Sequence, residues 1–78
     1  MNERRRKELN KAKLLIEEAL EIIDACAVEE QEYYDCMPEN LQSSDRGIQT
    51  EGNTERLNEI NEELRTFIEY IDICAEKV

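Results

Sequence analysis

The stretch Leu57-Asn58-Glu59-Ile60-Asn61-Glu62-Glu63-Leu64-Arg65-Thr66-Phe67-Ile68-Glu69-Tyr70-Ile71-Asp72-Ile73-Cys74 decides the fold class. Leu57, Ile60, Leu64, Phe67, Ile71 and Cys74, with Val78 beyond them, recur at alternating intervals of three and four. That rhythm gathers side chains on one face of an α-helix, whereas a strand would alternate with period two. Glu55, Arg56, Glu59, Glu62, Glu63, Arg65 and Glu69 fill the other faces. Glu62 with Arg65, and Arg65 with Glu69, are spaced to pair along an exposed surface, each adding about 0.2–0.5 kcal/mol. Ile68 and Ala75 widen one flank of the stripe.

The same rhythm lies upstream. From Glu3 to Tyr34 there is no Gly or Pro, and most residues are good helix formers. Leu9, Ala12, Ile16, Ala19, Ile23 and Cys26 repeat the three–four spacing. A second line, Leu15, Ala19, Ile22, Cys26 and Val28, runs beside it, with Leu20 and Ala27 on the other flank. A stripe this wide exceeds what one partner helix covers, so a bundle of more than two helices is expected.

Between the two segments, Pro38 disfavours helical geometry at Met37 and ends the first helix near Asp35 or Cys36. Pro38-Glu39-Asn40-Leu41 reads as one helical turn with Pro preset at its start. Ser43 or Ser44 can cap a new helix with Asp45 in its first turn. Gly47 and Gly52 each cost ~1 kcal/mol inside a helix, which predicts a weak or frayed stretch through Gly52 and makes Asn53 or Thr54 a competing cap. The expected organisation is one domain over residues 1–78: helix 3–35, turn 36–43, helix 44–77. The fold class is all-α, an antiparallel helical hairpin that completes a four-helix bundle as a homodimer or higher oligomer. Leu9, Ile16, Leu20, Ile23, Leu57, Ile60, Leu64, Phe67, Ile71 and Cys74 are its expected oligomer core. Folding about residue 40 would set Cys26 opposite positions near 54.

Length and charge agree with assembly. A chain of 78 residues buries only ~60% of its unfolded surface, so a lone core is marginal. Twenty acids against ten bases give a net charge of −10, yet six of the bases (Arg4, Arg5, Arg6, Lys7, Lys11 and Lys13) fall in the first thirteen positions. In a hairpin they would lie beside Glu69, Asp72 and Glu76. The acidic remainder repels phosphates and argues against direct nucleic-acid binding. No apolar run approaches the ~20 residues of a membrane span, and no secretory signal is expected.

Chemistry is limited by inventory. There is no His, no Gly-x-Ser-x-Gly and no phosphate loop, so neither an enzyme nor a cofactor is expected. Glu17, Glu21 and Asp24, or Glu59 and Glu63, sit one turn apart, but a di-iron bundle pairs Glu with His, and no metal site is expected. Cys26, Cys36 and Cys74 are odd in number, form no Cys-x-x-Cys, and read as reduced thiols of a cytoplasmic protein. Cys36, at the turn, is the one expected to be reactive.

The turn carries more than a connection needs. Tyr33, Tyr34, Asn40, Gln42, Ser43, Ser44 and Arg46 form its candidate ligand or partner site. Tyr33-x-x-x-Met37-Pro38-Glu39-Asn40-Leu41-Gln42-x-Ser44-Asp45-Arg46-Gly47 resembles the central segment of small acidic helical-hairpin proteins of phages and prophages. The resemblance spans Glu29 to Gly47 by motif and the flanking helices only by pattern; Cys36, Asp45 and Ile48 stand where Asn, Glu and Glu are usual. It implies a hairpin fold and a phage context, and no reaction.

Three non-enzymatic functions follow. The first is a self-associating hairpin that binds and inhibits or modulates a host defence or regulatory protein in the host cytosol. The second is an oligomeric sponge for a nucleotide or other phosphate-bearing ligand, with Arg46 and the amides after Ser43 and Ser44 as an anion cradle and a Tyr stacked on the base. Against it stands pairing of Arg46 with Asp35 or Glu39 as a purely structural role. The third is an acidic mimic of nucleic acid.

Overall fold

A computed structural model describes residues 1–76. The expected helix end at residue 77, and Val78 as the last member of its heptad row, lie outside the described residues. Among the described residues three helices follow one another: α1 (Glu3–Asp35), α2 (Glu39–Gln42) and α3 (Asp45–Cys74). No strand occurs among the described residues. The long helices lie antiparallel and form a rod of 58 × 15 × 14 Å.

Each long helix starts where a side chain closes an unpaired amide. Asn2 Oδ1 accepts from the Arg5 N–H at 2.9 Å, and Ser44 Oγ accepts from the Gly47 N–H at 3.4 Å. Ser44 rather than Asn53 or Thr54 is therefore the cap of the second long helix. The stretch expected to fray through Gly52 is continuous helix. Of its two glycines, Gly52 has only Arg56 of its own helix near it, whereas Gly47 is required where it stands. A Cβ there would sit 2.2 Å from the Gln42 carbonyl oxygen and 2.5 Å from that of Leu41. The end of α2 rests directly on the first turn of α3.

The seam between the long helices keeps the three–four rhythm without a break. On α1 it runs through Arg6, Leu9, Lys13, Ile16, Leu20, Ile23, Ala27, Glu30 and Tyr34, all at least partly buried. On α3 it runs through Gly47, Thr50, Thr54, Leu57, Asn61, Leu64, Ile68, Ile71 and Ala75. This differs from the apolar row read from the sequence. Leu57, Leu64 and Ile71 are shared, but Asn61, Ile68 and Ala75 face α1, while Ile60, Phe67 and Cys74 are exposed. Residues 60 and 61 flank the same column, and the helix is rotated so that the polar one is enclosed.

The register also differs from folding about residue 40. Lys13 Nζ meets Asp72 Oδ1 at 2.7 Å, and Asn61 Nδ2 reaches Asp24 Oδ1 at 3.4 Å. Cys26 therefore stands level with Ile60 rather than with positions near 54, because α2 takes up chain length in the corner. At that end small seam residues (Ala27, Gly47, Thr50, Thr54) are the buried ones. The threonine hydroxyls donate to carbonyls one turn back, Thr50 to Arg46 at 2.8 Å and Thr54 to Thr50 at 3.2 Å, which removes the cost of enclosing them. Toward the open end the Leu and Ile side chains are only half-buried, since two helices shield a seam from two sides at most.

Candidate functional site

Most side chains of the predicted turn site have structural tasks. Gln42 Nε2 donates to the Tyr34 carbonyl at 3.1 Å, joining the Met37 N–H, which donates to the same oxygen at 3.1 Å, and so ties the corner to the C-terminus of α1. Ser43 Oγ donates to the Glu39 carbonyl at 3.4 Å, and Ser44 Oγ donates to the Leu41 carbonyl while capping α3. The Arg46 guanidinium carbon lies 5.7 Å from the centre of the Tyr33 ring, within cation–π range. It forms no ion pair with Asp35 or Glu39 among the described residues; Asp35 instead accepts from Gln31 at 2.9 Å. The Tyr34 phenol is raised above its ordinary pKa of 10.0, first by hydrogen bonding to the Glu51 carboxylate, then by desolvation and by the Glu51 charge. Asn40 is exposed and has no side-chain hydrogen bond among the described residues. The motif is thus a folded corner: Pro38 opens it, Gln42 and Ser44 lock it, and Gly47 admits α2.

The predicted oligomer core divides in two. Leu9, Ile16, Leu20, Ile23, Leu57, Leu64 and Ile71 lie in the intrachain seam, half-buried. Ile60, Phe67 and Cys74 lie outside it, Phe67 with 49% of its surface exposed. Their counterparts on α1 are Ala12, Ala19 and Cys26, and the observed register sets Ala12 beside Cys74, Ala19 beside Phe67 and Cys26 beside Ile60. In antiparallel helices sharing a seam, flanks with the same heptad offset fall on the same side of the pair. These six positions therefore form one row along one side of the rod. Leu15 and Ile22 extend it on α1, Ile22 with 66% exposed, and the Tyr70 ring extends it on α3, 6.4 Å from that of Phe67.

The opposite side is richer in acids: Glu17, Glu21 and Asp24 of α1 and Glu62, Glu69 and Asp72 of α3 lie there, all exposed except the half-buried Glu17, together with the exposed Leu14, Val28 and Ile48. Lys13 bridges it at one end, and the Asp72 hydrogen bond raises the lysine pKa above 10.5 against a smaller opposing effect of desolvation. A shallow hollow of about 260 Å³ lies at the start of α1, lined by Met1, Arg4, Arg5, Glu8 and Leu9. Among the described residues, no helix is long and apolar enough to cross a membrane.

Counting apolar residues misses Asn61, Thr50, Thr54 and Gly47, because the enclosed part of the α3 seam is polar or small. The three–four rhythm finds them only when Leu57 is followed by 61 rather than 60, since 47, 50, 54, 57 and 61 then form one row without regard to polarity. Lys13 and Asp24 are likewise seam-edge residues that become visible only once the register is known. No protein family, curated protein or solved structure gives a match to this chain.

Proposed function

We propose that this protein is a small interaction protein of phage type, a helical hairpin that acts as a self-associated bundle on a host protein in the host cytosol. The observation that carries the reading is the apolar row formed by Ala12, Leu15, Ala19, Ile22 and Cys26 with Ile60, Phe67, Tyr70 and Cys74, which Glu63 flanks on α3. Contiguous apolar surface of this extent marks an association site. With that side covered by a second copy, four helices surround one core, and the acidic side remains outward for a target with a basic surface. The phage context and the host target rest on the resemblance of the Met37–Gly47 corner; the bundle rests on the exposed row.

Sedimentation of the full chain tests it. The expected result is a dimer across the micromolar range, converted to monomer or unfolded chain by Phe67→Asp. A monomer that keeps its helix content at all concentrations would overturn it. The nucleotide sponge has weaker support, because the Gln42, Ser43 and Ser44 side chains are engaged within the corner and Arg46 lies over the Tyr33 ring. Mimicry of nucleic acid draws on the acidic side alone, a feature many helices share.

A further inference from the structure

We propose that two copies of this chain join through the apolar side head to tail, the open end of each hairpin against the turn end of the other, with the two-fold axis crossing at the level of Ala19 and Phe67. This rests on the reading of the protein as a self-associating hairpin and adds the placement of the second copy.

The area fits a dimer. The chain exposes 6097 Å², whereas a compact monomer of 9.2 kDa would expose roughly 4900 Å². Its radius of gyration is 17.6 Å against roughly 11.5 Å for a compact domain of this length. A side 58 Å long and about 15 Å wide is of the order of the ~800 Å² that each partner gives to a stable interface. The hairpin has the dimensions of half a bundle.

Two alignments cover that side, and packing separates them. Head to tail, each outer layer holds Ala12 and Cys74 of one copy with Cys26 and Ile60 of the other. The central layer holds two Ala19 and two Phe67, so large and small side chains alternate and the three layers have similar volume. Head to head, like meets like. One layer then has only two Ala and two Cys, another has two Cys and two Ile, and Tyr33 and Asn53 are brought against their own copies. Interiors fill space evenly, so the first alignment is favoured.

Charge selects the same one. Residues 1–13 carry six bases and two acids. The turn end, residues 29–51, carries Glu29, Glu30, Glu32, Asp35, Glu39, Asp45 and Glu51 against Arg46 alone. Both signs oppose the dipole of α1, which favours acids at its start and bases in its last turn, where there are none. Among the described residues, apart from Lys13–Asp72, these bases pair only with neighbours on their own helix, Arg6 with Glu3 and Lys11 with Glu8. A half-turn about the Ala19 level carries Arg4 near the level of Glu32 of the partner subunit and Lys11 near that of Glu29 of the partner subunit. The head-to-head alternative crowds two acidic turns together.

The test uses the full chain with Cys26→Ala and Cys74→Ala, a spin label on Cys36 and sedimentation of the same sample. Cys36 lies seventeen residues from the axis level, so at a rise of ~1.5 Å per residue the two labels should be about 50 Å apart. A dimer with labels closer than ~30 Å, or a trimer or larger, overturns the head-to-tail placement alone. A monomeric wild type overturns the underlying reading as well. If only the labelled variant is monomeric, charge reversal decides. Arg4→Glu with Lys11→Glu should weaken the wild-type dimer at least tenfold, and adding Glu29→Lys with Glu32→Lys should restore it; absence of rescue overturns the proposal.

Discussion

Asn61 and Asp24, thirty-seven positions apart, meet where the seam is tightest: Asn61 is 2% exposed and its amide donates to Asp24 Oδ1 at 3.4 Å. The Asn61 carbonyl oxygen is buried without a partner among the described residues. A polar side chain enclosed at a seam position costs stability and fixes alignment, since any slip of the helices would strand the amide elsewhere.

Asn61→Asp tests this enclosure without changing volume. It sets two carboxylates side by side in the seam, and each disfavours ionisation of the other. The new carboxyl would have a folded pKa above its unfolded value, so the penalty is full at neutral pH and recedes as pH falls through that raised value. A loss of about 3 kcal/mol or more at pH 7 is expected, with partial recovery at pH 4, in urea unfolding followed by circular dichroism. Wild-type stability at pH 7 would mean that Asn61 is not enclosed.

The same residue marks the limit of what the sequence discloses. Periodicity identifies both long helices and the break at Pro38, because helix propensity and the conformational restriction before proline are local. Ser44 was legible as a cap for the same reason. The facing column was not. Apolar rows at 60/67/74 and at 68/75 flank Leu57, Leu64 and Ile71 on either side, and a count of apolar residues prefers the first. Which side turns inward depends on contacts with α1 and on the corner at Gly47, both non-local. Gln42 and Ser43 offer hydrogen-bond donors for a ligand on paper; only the folded corner shows those donors engaged.

Gly47 and Gly52 should respond oppositely to alanine. Removing a helix-interior glycine ordinarily stabilises by about 1 kcal/mol. At Gly52 the nearest atom to a new Cβ is Arg56 Nη1 at 3.8 Å, so Gly52→Ala should give that gain. At Gly47 the new methyl would collide with the Gln42 and Leu41 carbonyls, and Gly47→Ala should cost about 1–3 kcal/mol through displacement of α2. Thermal unfolding of the two variants is the measurement, and equal signs would mean the corner is not closely packed.

Alkaline pH should loosen both ends of the hairpin. Lys13 has its pKa raised from 10.5, first by the hydrogen bond to Asp72, and Tyr34 has its pKa raised from 10.0, first by the hydrogen bond to Glu51. A group whose folded pKa exceeds its unfolded value stabilises below the unfolded value and loses that contribution as pH rises through the folded one. The melting temperature should therefore fall above about pH 10. Lys13→Met and Tyr34→Phe should each flatten part of that decline. A decline unchanged in both variants would assign it to other groups.

The three thiols supply a reading of assembly that needs no labelled variant. Cys26, Cys36 and Cys74 are free and exposed on the isolated chain. Cys26 and Cys74 lie in the apolar row, Cys36 at the turn, beyond its last member. If a second copy covers the row, alkylation followed by peptide mass spectrometry should show Cys36 modified rapidly at every concentration. Cys26 and Cys74 should react slowly in concentrated protein and at the Cys36 rate on dilution or in Phe67→Asp. Because a buried thiol reacts only when the interface opens, the slow rate should scale with the dimer dissociation equilibrium, not with global unfolding. Equal reactivity of all three thiols in concentrated, folded protein would mean that the row stays open to solvent.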